Sequence, residues 1–357
     1  MAPCESSKMH RKTMQPLKFG VFDHMDDAGH GLARQYEERL RLAEACEAAH
    51  FRAYHVAEHH GTPHGIASSP NLFLAAMAQR TSHLRFGPLV MLLNLYHPLR
   101  AFEEICMLDQ ISGGRVEFGM GRGATPIELG FFGVEAGEAQ SRYREAADVV
   151  LQAMSGGALN YHGRYFDLQD VPISLSPVQL PHPPLWVGAM QPETGAWAAD
   201  NGMNIACVGG ADRVRAITDA YRARWRARAE PKAIMPLLGM VRQIVIADSD
   251  EAARALAAPA YQRWFDTFTH LSRLRGLPLP PAPPATFEQA TQIGFSISGS
   301  ASTVRRILTA QASNAGINYL LCQIAFGTLP LEASLRTASA IASEIMPVNS
   351  LATIMTP

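Results

Sequence analysis

The sequence predicts an α/β fold, a closed TIM-type (β/α)8 barrel, and three observations carry that expectation. Short apolar strand-like segments alternate with amphipathic helix-like segments along most of the 357 residues. Eight strand-like segments occur, the number at which a parallel sheet closes. No GxGxxG string follows the first of them, since Gly20 sits inside it and Gly29-His30-Gly31 lacks the third glycine. An open dinucleotide-binding sheet is therefore not the expectation.

The elements follow in order. Leu17 to Phe22 is the first strand, and Leu32 to Phe51 carries apolar residues at helical spacing. Arg52 to Ala57 is the second strand, with a loop rich in His, Gly and Pro behind it. Ser69-Pro70 opens a helix to about Thr81, because proline suits the first helical position. Leu84 to Leu93 is the third strand. His97-Pro98 opens a helix to Ile111, which Gly113 and Gly114 stop. Arg115 to Met120, Pro184 to Ala189, Met203 to Val208, Leu238 to Ala247 and Ile317 to Ile324 complete the eight strands. A last helix runs from about Leu331 to Ile345.

Insertions are expected after the fourth strand and between the seventh and eighth. The first is a long loop, Gly123 to Ser141. The second holds the proline-rich stretch Leu277 to Ala285. A hairpin is expected around His162-Gly163. One domain spans 17–347, between a mobile arm at 1–16 and a tail at 348–357.

Composition narrows the function classes. The formal net charge is −1 and charged residues make up 18%, with no basic stripe, so nucleic-acid binding is set aside. No apolar run reaches the length of a membrane span. Residues Met1 to Pro16 are polar and basic, unlike a secretory signal. Five scattered cysteines without a CxxC spacing read as reduced residues of a cytoplasmic protein.

The chemistry concentrates at His55, His59, His60 and His64, at the end of the second strand, where barrel enzymes place catalysis. Spacing alone leaves three readings open: a metal site, a general base, or histidines with ordinary loop hydrogen bonds.

A series of motifs in order adds to this reading. They are Ala57-Glu58-His59-His60, Leu84-Arg85-Phe86-Gly87, His97-Pro98-Leu99-Arg100, Leu108-Asp109-Gln110-Ile111-Ser112-Gly113-Gly114-Arg115, Phe118-Gly119-Met120-Gly121-Arg122-Gly123 and Trp197-Ala198-Ala199-Asp200-Asn201-Gly202. Together they resemble the bacterial luciferase α subunit and its non-luminous monooxygenase relatives. The resemblance implies a barrel that binds reduced FMN, which reacts with O2 to form a flavin C4a-hydroperoxide shielded from water. That species oxidises an aldehyde or another small organic substrate, and a separate flavin reductase supplies the reduced flavin.

The resemblance also implies roles for residues. His59 is the base beside the flavin, with Glu58 orienting it. Arg122 and Arg142 hold the flavin phosphate, helped by Met190, Gln191 and Thr194 at a helix start. A cis peptide joins Leu89 to Val90 beneath the flavin ring. Phe22, Asp23, His24 and His60 line the substrate side, and no metal is expected. Gln191 stands where the luciferase has a serine, and two further departures matter more: Gly121 replaces a reactive cysteine and Gly209 a tryptophan. The second implies a pocket that is wider or filled differently, and argues against light emission. The alternatives are an F420-dependent hydride-transfer oxidoreductase, a non-catalytic flavin-binding subunit, and a metal-dependent hydrolase. The family also implies a homodimer through helices on one side of the barrel, and the apolar, uncharged faces of the second and third helices are the candidates.

Overall fold

The computed structural model describes residues 17–123, 125–228, 234–279 and 283–347. The expected arm at 1–16, the tail at 348–357 and residues 280–282 of the proline-rich stretch lie outside them. Strand β1 (Lys18–Asp23) leads to α1 (Leu32–Ala48), and β2 (Ala53–Val56) to α2 (Pro70–Arg80). The third barrel strand is split into β3 (Arg85–Pro88) and β4 (Met91–Leu92), then α3 (Pro98–Ser112) follows. After β5 (Phe118–Gly121) come α4 (Pro126–Phe131) and α5 (Ala139–Met154). An antiparallel hairpin, β6 (Ala158–His162) with β7 (Asp167–Pro172), precedes β8 (Leu185–Gly188) and α6 (Pro192–Asp200). Next are β9 (Asn204–Cys207), α7 (Ala211–Arg226), β10 (Leu238–Ile246), α8 (Asp250–Phe268), α9 (His270–Leu274) and α10 (Phe287–Gln292). The chain continues with β11 (Ser296–Gly299), α11 (Ala301–Ala315), β12 (Tyr319–Gln323) and α12 (Leu331–Ala340).

The main sheet runs β3-β2-β1-β12-β10-β9-β8-β5-β4. Its pairings are parallel. Because β3 and β4 are consecutive in the chain, this path returns to its start, and a parallel bridge from Phe86 to Val116 adds to the closure. The sheet is therefore the expected barrel. One strand was not expected. The nine-residue β10 pairs with β9 only over Leu238 to Met240, and its end, Gln243 to Ile246, pairs with β11. The loop expected at Gly123 to Ser141 also differs, since it folds partly into α4.

The strand period sorts side chains between the barrel interior and the outer layer. Phe22, Ala57, Trp186, Val241 and Tyr319 cluster inside, while Phe19, Val21, Tyr54 and Val56 pack against the helices. Gly20 serves this packing, because a Cβ there would stand 1.7 Å from the Tyr319 hydroxyl oxygen. Buried Glu117 receives Arg52 at 2.6 Å, Arg85 at 2.8 Å and the Trp186 indole N–H at 2.8 Å. Such a buried carboxylate keeps its charge only because cations surround it. Gly113 ends α3 at φ 65°, a left-handed conformation that glycine adopts without steric cost. Among the described residues no helix is long and apolar enough to cross a membrane.

Candidate active site

A cavity of about 750 Å³ opens at the C-terminal ends of the barrel strands. Its floor includes Leu89 and Val90, joined by a cis peptide where the resemblance places one. Val90 fills the space beside Gly121, where an added Cβ would stand 2.1 Å from Val90 Cγ2. Met120, Val187, Ala206, Val208 and Val241 make the walls apolar. Gly188 leaves room, since a Cβ there would meet nothing within 4 Å. An apolar floor and walls with open space above them fit a planar flavin ring. Val208 is part of the wall, and Gly209 beside it has no side chain to add to it.

His59 lies on the wall, and its Nδ1 is 3.2 and 3.3 Å from the two carboxylate oxygens of Glu128. Glu128 also accepts from the Thr125 hydroxyl at 2.6 Å and the His60 backbone N–H at 2.9 Å. Burial works against its ionisation, but the hydrogen bonds from His59, Thr125 and His60 hold its carboxyl below the usual range. An ionised carboxylate only accepts, so Nδ1 of His59 carries a hydrogen, and in the neutral ring Nε2 presents a lone pair. The carboxylate bonded to His59 is therefore that of Glu128, not that of Glu58. Glu58 reaches the cavity, but its oxygens accept from the Leu92 N–H and His60 Nε2, both at 2.8 Å.

Phe22 and His24 line the cavity as expected, whereas Asp23 does not. The strand period turns Asp23 to the outer layer, where it pairs with Arg39 at 2.8 Å and accepts from the Tyr54 hydroxyl at 2.6 Å. His60 also leaves the cavity, because adjacent loop side chains diverge. Its ring packs edge-on against Phe132 at 4.8 Å.

The other rim of the cavity is cationic. Arg122 lies there, its carbonyl fixed by the Asn94 amide at 2.7 Å. Arg142 does not. It lies over the rings of Tyr165 and Phe166, at 5.8 and 5.2 Å. The helical period explains this: Gln140, Tyr143 and Arg144 share the cavity-facing side of α5, and Arg142 points elsewhere. Arg144 therefore stands where Arg142 was expected. Met190, Gln191 and Thr194 lie at the rim, at the start of α6. That helix start offers few donors. Pro192 has no N–H, and the Thr194 N–H already bonds the Gln191 carbonyl at 3.1 Å. Two guanidinium groups, the Thr194 side chain and the Glu193 N–H remain, a donor set that fits a phosphate.

His24 and His64 are both held well below the usual histidine range, by burial first and then by neighbouring imidazoles. They are neutral at neutral pH. Glu128, Arg144 and the His24 neighbours Trp264 and Gln323 were not singled out from sequence. One signal for Glu128 was present. Thr125-Pro126-Ile127-Glu128 has the spacing of a helix-start pair, and here those two side chains bond each other.

Comparison with known proteins agrees with this geometry. The family model for luciferase-like monooxygenases matches residues 17–318. The chain is 54% identical over 330 residues to an uncharacterized protein, y4wF, of Sinorhizobium fredii, covering 92% of this chain and 96% of that one. It is 27% identical to the oxygenase component of a flavin-dependent trigonelline monooxygenase of Acinetobacter baylyi, over 68% of each chain. Among solved structures, the monooxygenase RslO1 of Streptomyces bottropensis superposes with a TM-score of 0.84 at 25% identity, covering 93% of this chain and 99% of that one. The chain belongs to the luciferase-like monooxygenase family, as an oxidoreductase built on a TIM barrel.

Proposed function

We propose that the protein is the oxygenase of a two-component system. It binds reduced FMN delivered by a separate flavin reductase and uses O2 to oxidise a small organic substrate. The observation that carries this reading is His59, held through Nδ1 by ionised Glu128 and left with an Nε2 lone pair at the cavity. When bound, reduced FMN supplies the oxygen activation. The chain supplies binding, shielding and proton handling.

Arg122, Arg144 and Thr194 hold the phosphate end through charge-assisted hydrogen bonds. Leu89 and Val90 support the ring, and the apolar walls keep water from the reacting face. His59 takes a proton at Nε2, and Glu128 stabilises the imidazolium that forms. Proton transfer by a placed histidine contributes about 10²–10⁴-fold to rate. Family membership and the reduced cysteines support a cytoplasmic protein. Exposed Leu72 on α2, with Met107 and Ile111 on α3, supports a homodimer through these helices. A monomer in light scattering would remove that last point.

The deciding experiment titrates the protein anaerobically with reduced FMN and with reduced F420, then mixes each complex with O2. We expect FMN to bind, and to reoxidise more slowly bound than free. Binding of F420 with no binding of FMN would replace this reading with hydride transfer. FMN that binds but reoxidises as fast as in solution would make the chain a non-catalytic flavin-binding subunit.

A further inference from the structure

Three imidazoles meet beside the cavity. The rings of His24 and His64 are 4.4 Å apart, those of His59 and His64 4.9 Å, and a ring nitrogen from each lies within 4.8 Å of the others. Their partners fix where each proton sits. The Trp264 indole N–H can only donate, and it faces His24 Nδ1 at 3.5 Å. The Gln323 amide nitrogen donates to the same atom at 3.0 Å. Neutral His24 therefore carries its hydrogen on Nε2. The Thr267 hydroxyl gives its hydrogen to the Trp264 carbonyl at 2.8 Å, so its oxygen accepts from His64 Nδ1 at 3.2 Å. His64 Nε2 is then a lone pair, buried and without a hydrogen-bond partner. Glu128 fixes His59 in the same sense.

The cluster thus offers one donor, His24 Nε2–H, and two acceptors, Nε2 of His59 and Nε2 of His64. A metal centre needs a lone pair from each ring, and His24 presents a hydrogen. The set is complementary instead to a hydroxyl group. We propose that the substrate carries an ionisable hydroxyl on an unsaturated carbon, a phenol or an enol, bound between His24 and His59.

This rests on the oxygenase reading above and adds the substrate class. The hydroxyl oxygen accepts from His24 Nε2–H, and its hydrogen is donated to His59 Nε2. On proton transfer the O–H bond breaks and an Nε2–H bond forms. The electron pair stays on the substrate oxygen, and no electron leaves the substrate in this step. Glu128 stabilises the imidazolium and the His24 N–H stabilises the new oxyanion, so both products of the transfer have a partner. An unsaturated carbon is required because proton transfer to an imidazole is uphill by about 3.5 pK units from a phenol, whose pKa is about 10, a gap the two partners can narrow, and is far more uphill from a saturated alcohol. The oxyanion also makes the adjoining carbons electron-rich, which suits attack on electrophilic oxygen.

The test uses the FMN-loaded protein and two probes, 4-fluorophenol and 4-fluoroanisole, followed by fluorine NMR. The phenol is expected to bind about tenfold more tightly than its methyl ether. Its ionisation midpoint should fall by about one pH unit on binding. His24→Phe is expected to abolish both effects with FMN affinity unchanged. His24→Gln, which keeps a side-chain N–H, should retain most of the preference. Equal binding of the two probes, binding of neither, or a preference that survives His24→Phe overturns the proposal and leaves the flavin reading standing. Failure to load FMN removes the flavin reading itself.

Discussion

Glu128 Oε1 lies 3.2 Å from Nδ1 of His59, so a carboxylate on the helix after the fourth barrel strand holds the histidine that follows the second. The pair is closed from the other side by Thr125 and by the His60 backbone. In the proposed reaction the pair acts as a carboxylate–imidazole couple, in which the acid sets the tautomer and then stabilises the charged ring.

Glu128→Gln removes the charge and keeps a hydrogen-bonding group. Turnover should fall about 10²-fold or more, toward the loss expected for His59→Ala. FMN affinity should stay within about twofold of the parent in both variants. Stopped-flow turnover and equilibrium flavin titration read the two quantities separately. Unchanged turnover in Glu128→Gln would leave Glu128 a loop anchor only.

The cationic rim predicts a discrimination between flavins. Arg122→Ala and Arg144→Ala should each weaken FMN binding by about 1.5–3 kcal/mol, the scale of a hydrogen bond to a charged group, and leave riboflavin binding unaltered. Arg142→Ala should leave both affinities unaltered, since its guanidinium lies on Tyr165 and Phe166. A larger loss in Arg142→Ala than in Arg144→Ala would return the phosphate to Arg142.

Asp26 makes stability depend on pH. Burial, opposed by the Arg39 charge and the Gly327 N–H, pushes its carboxyl up from 3.8 to about 7. Between those values the folded protein holds a proton that the unfolded chain has released. Stability from this group therefore falls as pH rises toward 7 and is level above it. Asp26→Asn should match the parent near about pH 4 and exceed it by up to about 4 kcal/mol near about pH 8. Urea denaturation at both values checks this, and a difference that does not change with pH would contradict it.

Glu117 predicts a loss confined to the fold. Glu117→Gln leaves Arg52 and Arg85 without their shared carboxylate inside the barrel, which should cost about 3–5 kcal/mol. Thermal unfolding should move down while the flavin affinity of the folded fraction stays the same. Unchanged stability would show that solvent reaches this network.

Particular residues divide what could be read in the chain from what could not. The alternation of strand and helix segments, with Pro70, Pro98 and Gly113 at helix ends, was enough for the barrel. Those signals are local, arising from backbone sterics and the periodic burial of apolar side chains. Position at a strand's end was likewise enough to bring Phe22, His24, His59 and Arg122 to the cavity.

Direction was the harder matter. Asp23 adjoins two cavity residues yet faces Arg39, because neighbouring strand residues point to opposite sides of the sheet. Arg142 and Arg144 are two residues apart on one helix, so only the seating of α5 decided which reaches the rim. Glu128 meets His59 across 69 positions of sequence, and Trp264 and Gln323 set the His24 proton from still farther away. Periodicity along the chain determined the barrel and the end of it that carries the site. Only the packing of separate segments decided which carboxylate holds His59 and on which nitrogen each imidazole carries its hydrogen, because those depend on distances between atoms that no local pattern encodes.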